Sequence, residues 1–344
     1  MKTNRKPDGL RAHAAFVVVM ILLSIFSLFS CSSCDDPYEP PPVVLVKPAV
    51  IIKDVISVDT TNAVIAASVI PNEKDTYISF EIKKKTSVDW EVILLSETYS
   101  GQSSIDLSYD LSDLQKNTVY VFRIKASNEA GDTISDIKEF FTYAVADYDG
   151  NLYHAVTIGT QTWLRENLEA THYANGDPIP NIIDPDAWET LTVGNYCYYN
   201  NDPELGEVYG ALYNHYAAVD PRGFIVGWHT PTTYEFVTLD NFLGHYWLSG
   251  PALMEAGLAH WISPAIPGNN STGFTALPNG GFAHDPITLK FVFMNLREDA
   301  IWWSATTVGP LDAYLVDIDH HNSWLAIGGY YPRNIAAGIR LLKN

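Results

Sequence analysis

The segment Tyr314–Asn334 holds the densest set of side chains able to make a recognition surface. It contains His320, His321, Asn322, Ser323, Trp324, Tyr330, Tyr331, Arg333 and Asn334. Aromatic rings supply wide contact area at little entropic cost, and Asn, Ser and His add adaptable hydrogen bonds, which is the chemistry of a binding face. Tyr330-Tyr331, followed by Pro332, reads as a surface loop, whereas Trp302, Trp303 and Trp324 read as core. Asp317, Asp319 and His321 alternate, so in a strand they share one face and His320 takes the other. Such a set can hold a divalent ion, but the same spacing describes a solvated polar strand, and that is the reading adopted.

The remaining reactive residues are sparse. Cys197, between Tyr196 and Tyr198, reads as a buried apolar cysteine. Glu235, Asp240 and Glu255 fall on expected helix surfaces, and Asp285 and Asp299 in expected loops. No two of these carboxylates are spaced to flank a bond at the ~5–10 Å that acid–base hydrolysis needs. The chain therefore reads as a binding protein rather than an enzyme, with no catalytic residue, no metal site and no cofactor.

The elements that position the binding segment come next. Gly227–Leu239 combines Trp228, a Thr230-Pro231 stop and a cap at Thr232 or Thr233. Phe236, Leu239, Phe242 and Leu243 then draw one apolar face of a helix over Thr233–Leu243. A second helix is expected over Pro251–His260. Strands are expected at Trp302–Thr306, Ala313–Asp319, Trp324–Ile327 and Ile335–Leu342. Segregated helices with a largely antiparallel sheet make an α+β domain over residues 145–344.

Residues 49–143 read differently. Strands are expected at Ala49–Val58, Ala63–Ile70, Tyr77–Lys83, Trp90–Leu95, Ser104–Leu107, Val119–Ala126 and Lys138–Thr142, with no useful helical period. The stretch from Leu114 to Gly131 resembles the late strands of a fibronectin type III module, with Tyr120 as its corner tyrosine. The early tryptophan of that family is missing, and Trp90 comes later. The resemblance implies an all-β sandwich used as a spacer.

The N-terminus reads as an address. Lys2, Arg5, Lys6 and Arg11 precede an apolar run from Ala14 to Phe29 that is short for a membrane span. Leu28-Phe29-Ser30-Cys31 resembles the lipobox of bacterial lipoproteins, which implies acylation of Cys31 after removal of residues 1–30. Cys34-Asp35-Asp36 resembles the surface-export signal of Bacteroidota lipoproteins. Residues 31–48 contain five prolines after Pro37 inclusive and read as a semi-rigid tether. The expected location is the outer membrane, lipid-anchored and exposed at the cell surface.

Charge agrees with export. The chain has 40 acidic and 21 basic residues; without residues 1–30, 39 and 17 remain, a net −22. This excludes a nucleic-acid partner, since phosphates need Lys and Arg. Three cysteines, one of them committed to lipid, exclude a disulfide framework.

Six motifs beyond residue 145 occur in a fixed order. They are Gly159–Leu168, Asn195–Asn201, Tyr209–Asn214, Gly227–Thr232, Trp302–Thr306 and Ala337–Leu342. Together they resemble the Fibrobacter succinogenes major paralogous domain. That resemblance implies secreted or lipid-anchored proteins with a C-type-lectin-like fold and no established general activity. The calcium loops of sugar-binding C-type lectins and the paired cysteines of the formylglycine-generating relatives are absent. In folds of this type the late strands and loops form the ligand face. This directs a glycan or protein ligand to His320, His321, Asn322, Trp324, Tyr330, Tyr331, Arg333 and Asn334. The rival function is a structural or accessory subunit of an outer-membrane or fimbrial assembly; a carbohydrate-active enzyme is the third.

Overall fold

The computed structural model describes residues 44–288 and 290–344, of which Leu45–Asn344 forms one compact unit. The signal segment, Cys31 and most of the tether lie outside the described residues.

The first part is a two-sheet sandwich. Its strands are β1 (Ala49–Ile52), β2 (Ser57–Val58), β3 (Ala63–Ile70), β4 (Tyr77–Lys84) and β5 (Glu91–Leu94). They continue as β6 (Ile105–Leu111), β7 (Val119–Asn128), β8 (Gly131–Ile134) and β9 (Lys138–Phe141). One sheet centres on β3, with β1 and β2 sharing one edge and β6 on the other. The second runs β5-β4-β7, with β8 and β9 dividing the far edge of β7. All pairs are antiparallel. Ile65, Ala67, Ile78, Phe80, Phe122 and Ile124 fill the space between the sheets. Tyr120 is buried and its hydroxyl accepts the Gln115 N–H at 2.9 Å, the corner contact expected of a fibronectin-like module. Trp90 instead lies on the outside of the sheet beneath Lys83 and Arg123. The expected strand at Ala49–Val58 breaks in two, and β8 was not foreseen because its Gly131 reads as turn.

The second part is also mostly β, in several small antiparallel sheets rather than one. Two-residue β10 (Val145–Ala146) pairs with β11 (Leu152–Tyr153). Strands β12 (Ala155–Ile158) and β13 (Gln161–Leu164) follow, then β14 (Tyr196–Cys197), β15 (Leu212–Tyr213) and β16 (Trp228–His229). The late strands are β17 (Asn279–His284), β18 (Phe291–Leu296), β19 (Asp299–Val308), β20 (Asp312–Asp319), β21 (Leu325–Pro332) and β22 (Leu342–Lys343). Five short helices stand among them: α1 (Pro185–Trp188), α2 (Pro203–Tyr209), α3 (His215–Ala218), α4 (Thr233–Leu243) and α5 (Ser249–Leu253). The principal sheet orders are β12-β13-β22-β16 and β19-β20-β21.

Helix α4 matches its expected bounds because its signals are local. Thr232 accepts the Glu235 N–H and Glu235 bonds back to the Thr232 N–H, and Gly244 closes the other end at φ +94°. The second expected helix stops at Leu253. Met254 and Glu255 turn their backbone to Ala276, and Glu255 donates to the Ala276 carbonyl, a partner that no local period foretells. Ile335–Leu342 is not a strand either. Ala336, Ala337 and Gly338 each bridge a different segment, at Phe282, Tyr213 and Trp302. The chain end thus stitches three elements together.

Strand β19 divides the core. Trp302 and Trp303 point to opposite faces, one toward Phe236, Leu239, Met254 and Phe274, the other toward Tyr213, Trp188 and Phe282. Both rings are fully buried. Where the motif segments meet, Arg340 lies buried and, among the described residues, forms no ion pair with a carboxylate. Its Nε and NH2 donate to Asn167 Oδ1 at 3.0 and 2.7 Å, and NH1 donates to the carbonyls of Phe274, Leu164 and Arg165. Asn167 also accepts Trp302 Nε1 at 2.8 Å and donates to the Tyr209 carbonyl at 2.8 Å. Four of the six motifs converge on this one knot.

Candidate functional site

The hairpin β20–β21 carries the expected binding residues, but it spreads them over its two ends. Ile318 pairs with Leu325 at one end, and Tyr314 with Tyr330 and Ala313 with Tyr331 near the other. Trp324 and Tyr330 are therefore separated by roughly 20 Å of strand at about 3.3 Å per residue. His320, His321, Asn322 and Trp324 sit at the turn end; Tyr330, Tyr331, Arg333 and Asn334 sit at the far end. They do not form a single patch.

Each residue has a definite setting. Trp324 is 42% exposed, which corrects the expectation that it is core. Tyr330 and Tyr331 are 62% and 47% exposed, in strand rather than loop. Strand alternation sends them to opposite sides of the sheet. Asn322 closes the turn by donating its N–H to Asp319 Oδ1 at 2.7 Å. Asn334 is structural: its side chain donates to the carbonyls of Trp188 and Glu189, both at 3.0 Å, at the end of α1.

The carboxylates also regroup. Asp299 opens β19 and pairs directly with Asp319, so it is not a loop residue. Asp317 lies on the same face one pleat further along. Burial, with Asp299 and Asp319 nearby, raises the Asp317 pKa to about 7. Burial also raises Asp299, against a 2.6 Å hydrogen bond from Asn295 that lowers it. The imidazole beside them is His320, with Nδ1 3.6 Å from Asp299 Oδ1; His321 is exposed and stacks on His320. The expected alternation fails because the strand ends at Asp319, whose carbonyl accepts the Ser323 N–H and turns the chain. Among the described residues no group of three or more His, Cys, Asp or Glu has metal-holding geometry.

Arg333 belongs to a different place, a groove of about 550 Å³ between the loops around Tyr173, Val193 and Tyr216. Its Nε donates to His215 Nδ1 at 3.0 Å, its NH1 to the Pro310 carbonyl at 3.3 Å, and its guanidinium lies 4.2 Å from the centre of the Tyr216 ring. His215 is fully buried and its Nε2 donates to the Ser304 carbonyl at 3.0 Å. Burial, then the Arg333 charge, pushes its pKa down to about 4, so the ring is neutral and Nδ1 accepts. Arg222 lines the same groove over Tyr173, but Asp220 and Asp177 hold it at 2.8 and 2.9 Å. The sequence offers the loops Asn175–Asn201 and Ser263–His284 as alternative ligand faces, but only the fold brings the first of them to Tyr216 and Arg333. The only signal was the Pro- and Tyr-rich composition of that stretch.

Cys197 is buried, and burial alone pushes its thiol pKa well up. The motif residues serve the frame: Tyr213 donates its hydroxyl to the Ala170 carbonyl at 2.7 Å, and Trp303 donates to the Tyr213 carbonyl at 2.7 Å.

No curated protein matches the chain. Among solved structures, the sensor domain of the anti-sigma factor RsgI4 of Pseudobacteroides cellulosolvens is 20% identical, with 30% of this chain and 100% of that one covered at a TM-score of 0.24. The fibronectin type III domain of human fibronectin type III domain containing protein 3 is 21% identical, covering 29% and 91% at a TM-score of 0.22. A redesigned β-sandwich protein is 26% identical, covering 29% and 96% at 0.21. Residues 156–343, more than half of the 344-residue chain, match the model of the Fibrobacter succinogenes major domain, and the chain belongs to that family.

Proposed function

We propose that this is a lipid-anchored protein of the bacterial outer-membrane surface that binds a glycan or protein ligand through residues 145–344. The sandwich serves as a spacer, the second part is C-type-lectin-like, and the protein is a binding module rather than an enzyme. The observation that carries the binding reading is the groove of about 550 Å³ holding Arg333 and Tyr216. That volume lies in the ~300–1,000 Å³ range of small-ligand sites. The exposed Tyr331 precedes Arg333 by two residues, so the strand leads into the groove. Membrane attachment rests on the sequence at Cys31; among the described residues no helix is long and apolar enough to cross a membrane.

Two experiments test the reading. Cys31→Ser is expected to move the protein from the detergent phase to the soluble fraction; a variant that stays membrane-bound removes the lipoprotein claim. Glycan-array and pull-down screens of the mature chain are expected to return a saturable ligand, and an empty result in both removes the binding claim.

One observation favours the assembly reading as second choice. Strand β21 is the last of its sheet and, among the described residues, no strand pairs with its outer edge. A partner could add a strand there. Gel filtration with crosslinking of the mature chain, alone and with cell-surface extract, separates this from ligand capture.

A further inference from the structure

We propose that the Arg333–Tyr216 groove binds a carboxylate-bearing saccharide, an oligosaccharide of the uronic-acid type. The inference rests on the reading of the domain as a ligand-binding module and names the chemistry of its ligand.

The argument starts with an unmatched charge. Arg333 is half-buried, and its two described hydrogen-bond acceptors, the His215 ring nitrogen and the Pro310 carbonyl, are both neutral. Among the described residues no carboxylate lies within ion-pair distance of it, although acidic residues outnumber basic ones 40 to 21. The contrast is inside the same groove, where Arg222 has two carboxylates. A partly desolvated guanidinium without a counter-charge is costly, so the site favours a ligand that brings one. Arg333 is also held in place by those two bonds and by Tyr216. A fixed planar fork matches a carboxylate in two-point geometry.

The rest of the groove selects a sugar over other anions. Tyr216 with Pro178, Pro180 and Pro221 offers flat apolar surface for the C–H face of a sugar ring. Asp220, on the same wall, takes two Arg222 bonds at Oδ1 but only one at Oδ2, which leaves Oδ2 able to accept a ligand hydroxyl. A uronic sugar presents one carboxylate and several hydroxyl donors on one ring, which satisfies Arg333 and Asp220 together. A phosphate dianion sets two negative charges beside Asp220 and has no C–H ring face for Tyr216. An acidic peptide brings many charges to a chain with net −19.

The test is calorimetric titration of the mature chain with trigalacturonate, galactotriose, hexaglutamate and inorganic phosphate. Trigalacturonate is expected to bind at least about tenfold tighter than the others, as a charge-assisted pair allows. Arg333→Gln is expected to lose that tenfold preference. Because Arg333 also props the loop at His215, its thermal melt is checked. Val193, on the groove rim and 62% exposed, gives variants that keep the fold. Val193→Glu is expected to weaken trigalacturonate and Val193→Lys to tighten it, each about threefold by through-space charge. Equal binding of galactotriose overturns the proposal. So does unchanged affinity in a folded Arg333→Gln, or identical affinities in the two Val193 variants. Preference for hexaglutamate or phosphate assigns the groove to a different ligand class and overturns it too. If no acidic sugar binds while the array returns a ligand captured elsewhere, this inference falls and the binding module stands. If the array and pull-downs are empty, the module itself falls.

Discussion

Arg340 shows how a charged residue can be wholly structural. Each of its three nitrogens donates to oxygen, four of its five bonds go to Asn167 or to the carbonyls of Phe274 and Leu164, and the rings of Phe274 and Trp302 flank it. Burial lowers its pKa to about 9. Removing one member of such a knot leaves a buried charge unsatisfied, so Asn167→Ala is expected to cost about 3–5 kcal/mol in urea unfolding. A cost below about 1 kcal/mol would mean that water replaces the amide. Asp317 gives the second residue-scale prediction. Its folded pKa of about 7 lies above the ordinary 3.8, so the folded state binds its proton more tightly. The stability this contributes is complete below pH 4 and is lost as pH rises through 7. Asp299 and Asp319 face it across and along the sheet, and His320 faces Asp299, so Asp317→Asn also relieves like-charge repulsion. Asp317→Asn is expected to stabilise the chain at pH 8 by at least about 1.4 kcal/mol, the worth of one pKa unit. The gain should vanish near pH 4; equal gains at both pH values would refute the assignment. The sequence carried the alternation of Asp317 and Asp319 but not Asp299, because the cross-strand register that joins them is set by the turn between β19 and β20.

At the scale of elements, local signals were legible and long-range ones were not. Helix α4 was readable because its capping box, apolar face and glycine stop all lie within 13 residues, 232 to 244. Strand β3 was readable because its bonding partners need only an apolar run bounded by turns. The false helix after Leu253 and the false strand at Ile335–Leu342 share one cause: their backbone bonds are made to Ala276, Phe282, Tyr213, Ile301 and Trp303, far away in sequence. Strand β21 runs beyond the expected Trp324–Ile327 for a related reason. A bulge at Gly328, where Leu315 pairs with Gly329 and Val316 with Ile327, lets the pairing resume beyond a glycine pair that reads as a break. This placement changes what the tyrosines can do. Tyr330 and Tyr331 project from opposite faces, so they cannot serve one ligand equally. Truncating each to Ala is expected to change stability by less than about 1 kcal/mol, as exposed positions do, and only one of the two is expected to weaken ligand capture. Equal losses from both, in folded variants, would show that the ligand wraps the strand edge.

At the scale of the molecule, the sandwich and the second part have separate apolar cores and a packed joint. His154 lies between Phe141 and Tyr143, with ring centres 4.3 and 4.1 Å away, and bonds to Glu166 at 2.8 Å. Arg165 covers Phe141, and Asn117 accepts the Ala155 N–H at 2.9 Å. The link Ala144–Tyr153 is itself hydrogen-bonded, since Ala144 donates to the Tyr153 carbonyl at 2.7 Å. A joint packed this way is stiff. It also couples two units that could otherwise melt apart. Two transitions are expected in a calorimetric scan of the mature chain, because neither core shares residues with the other. Tyr120→Phe should lower the sandwich transition alone, by about 1 kcal/mol, since water can reach Gln115 once the hydroxyl is gone. His154→Ala should lower whichever transition comes first, because that unit loses the support of its still-folded neighbour. The later transition should not move, its neighbour having already unfolded. A single transition that Tyr120→Phe shifts as a whole would mean that the joint dominates and that the chain folds as one unit.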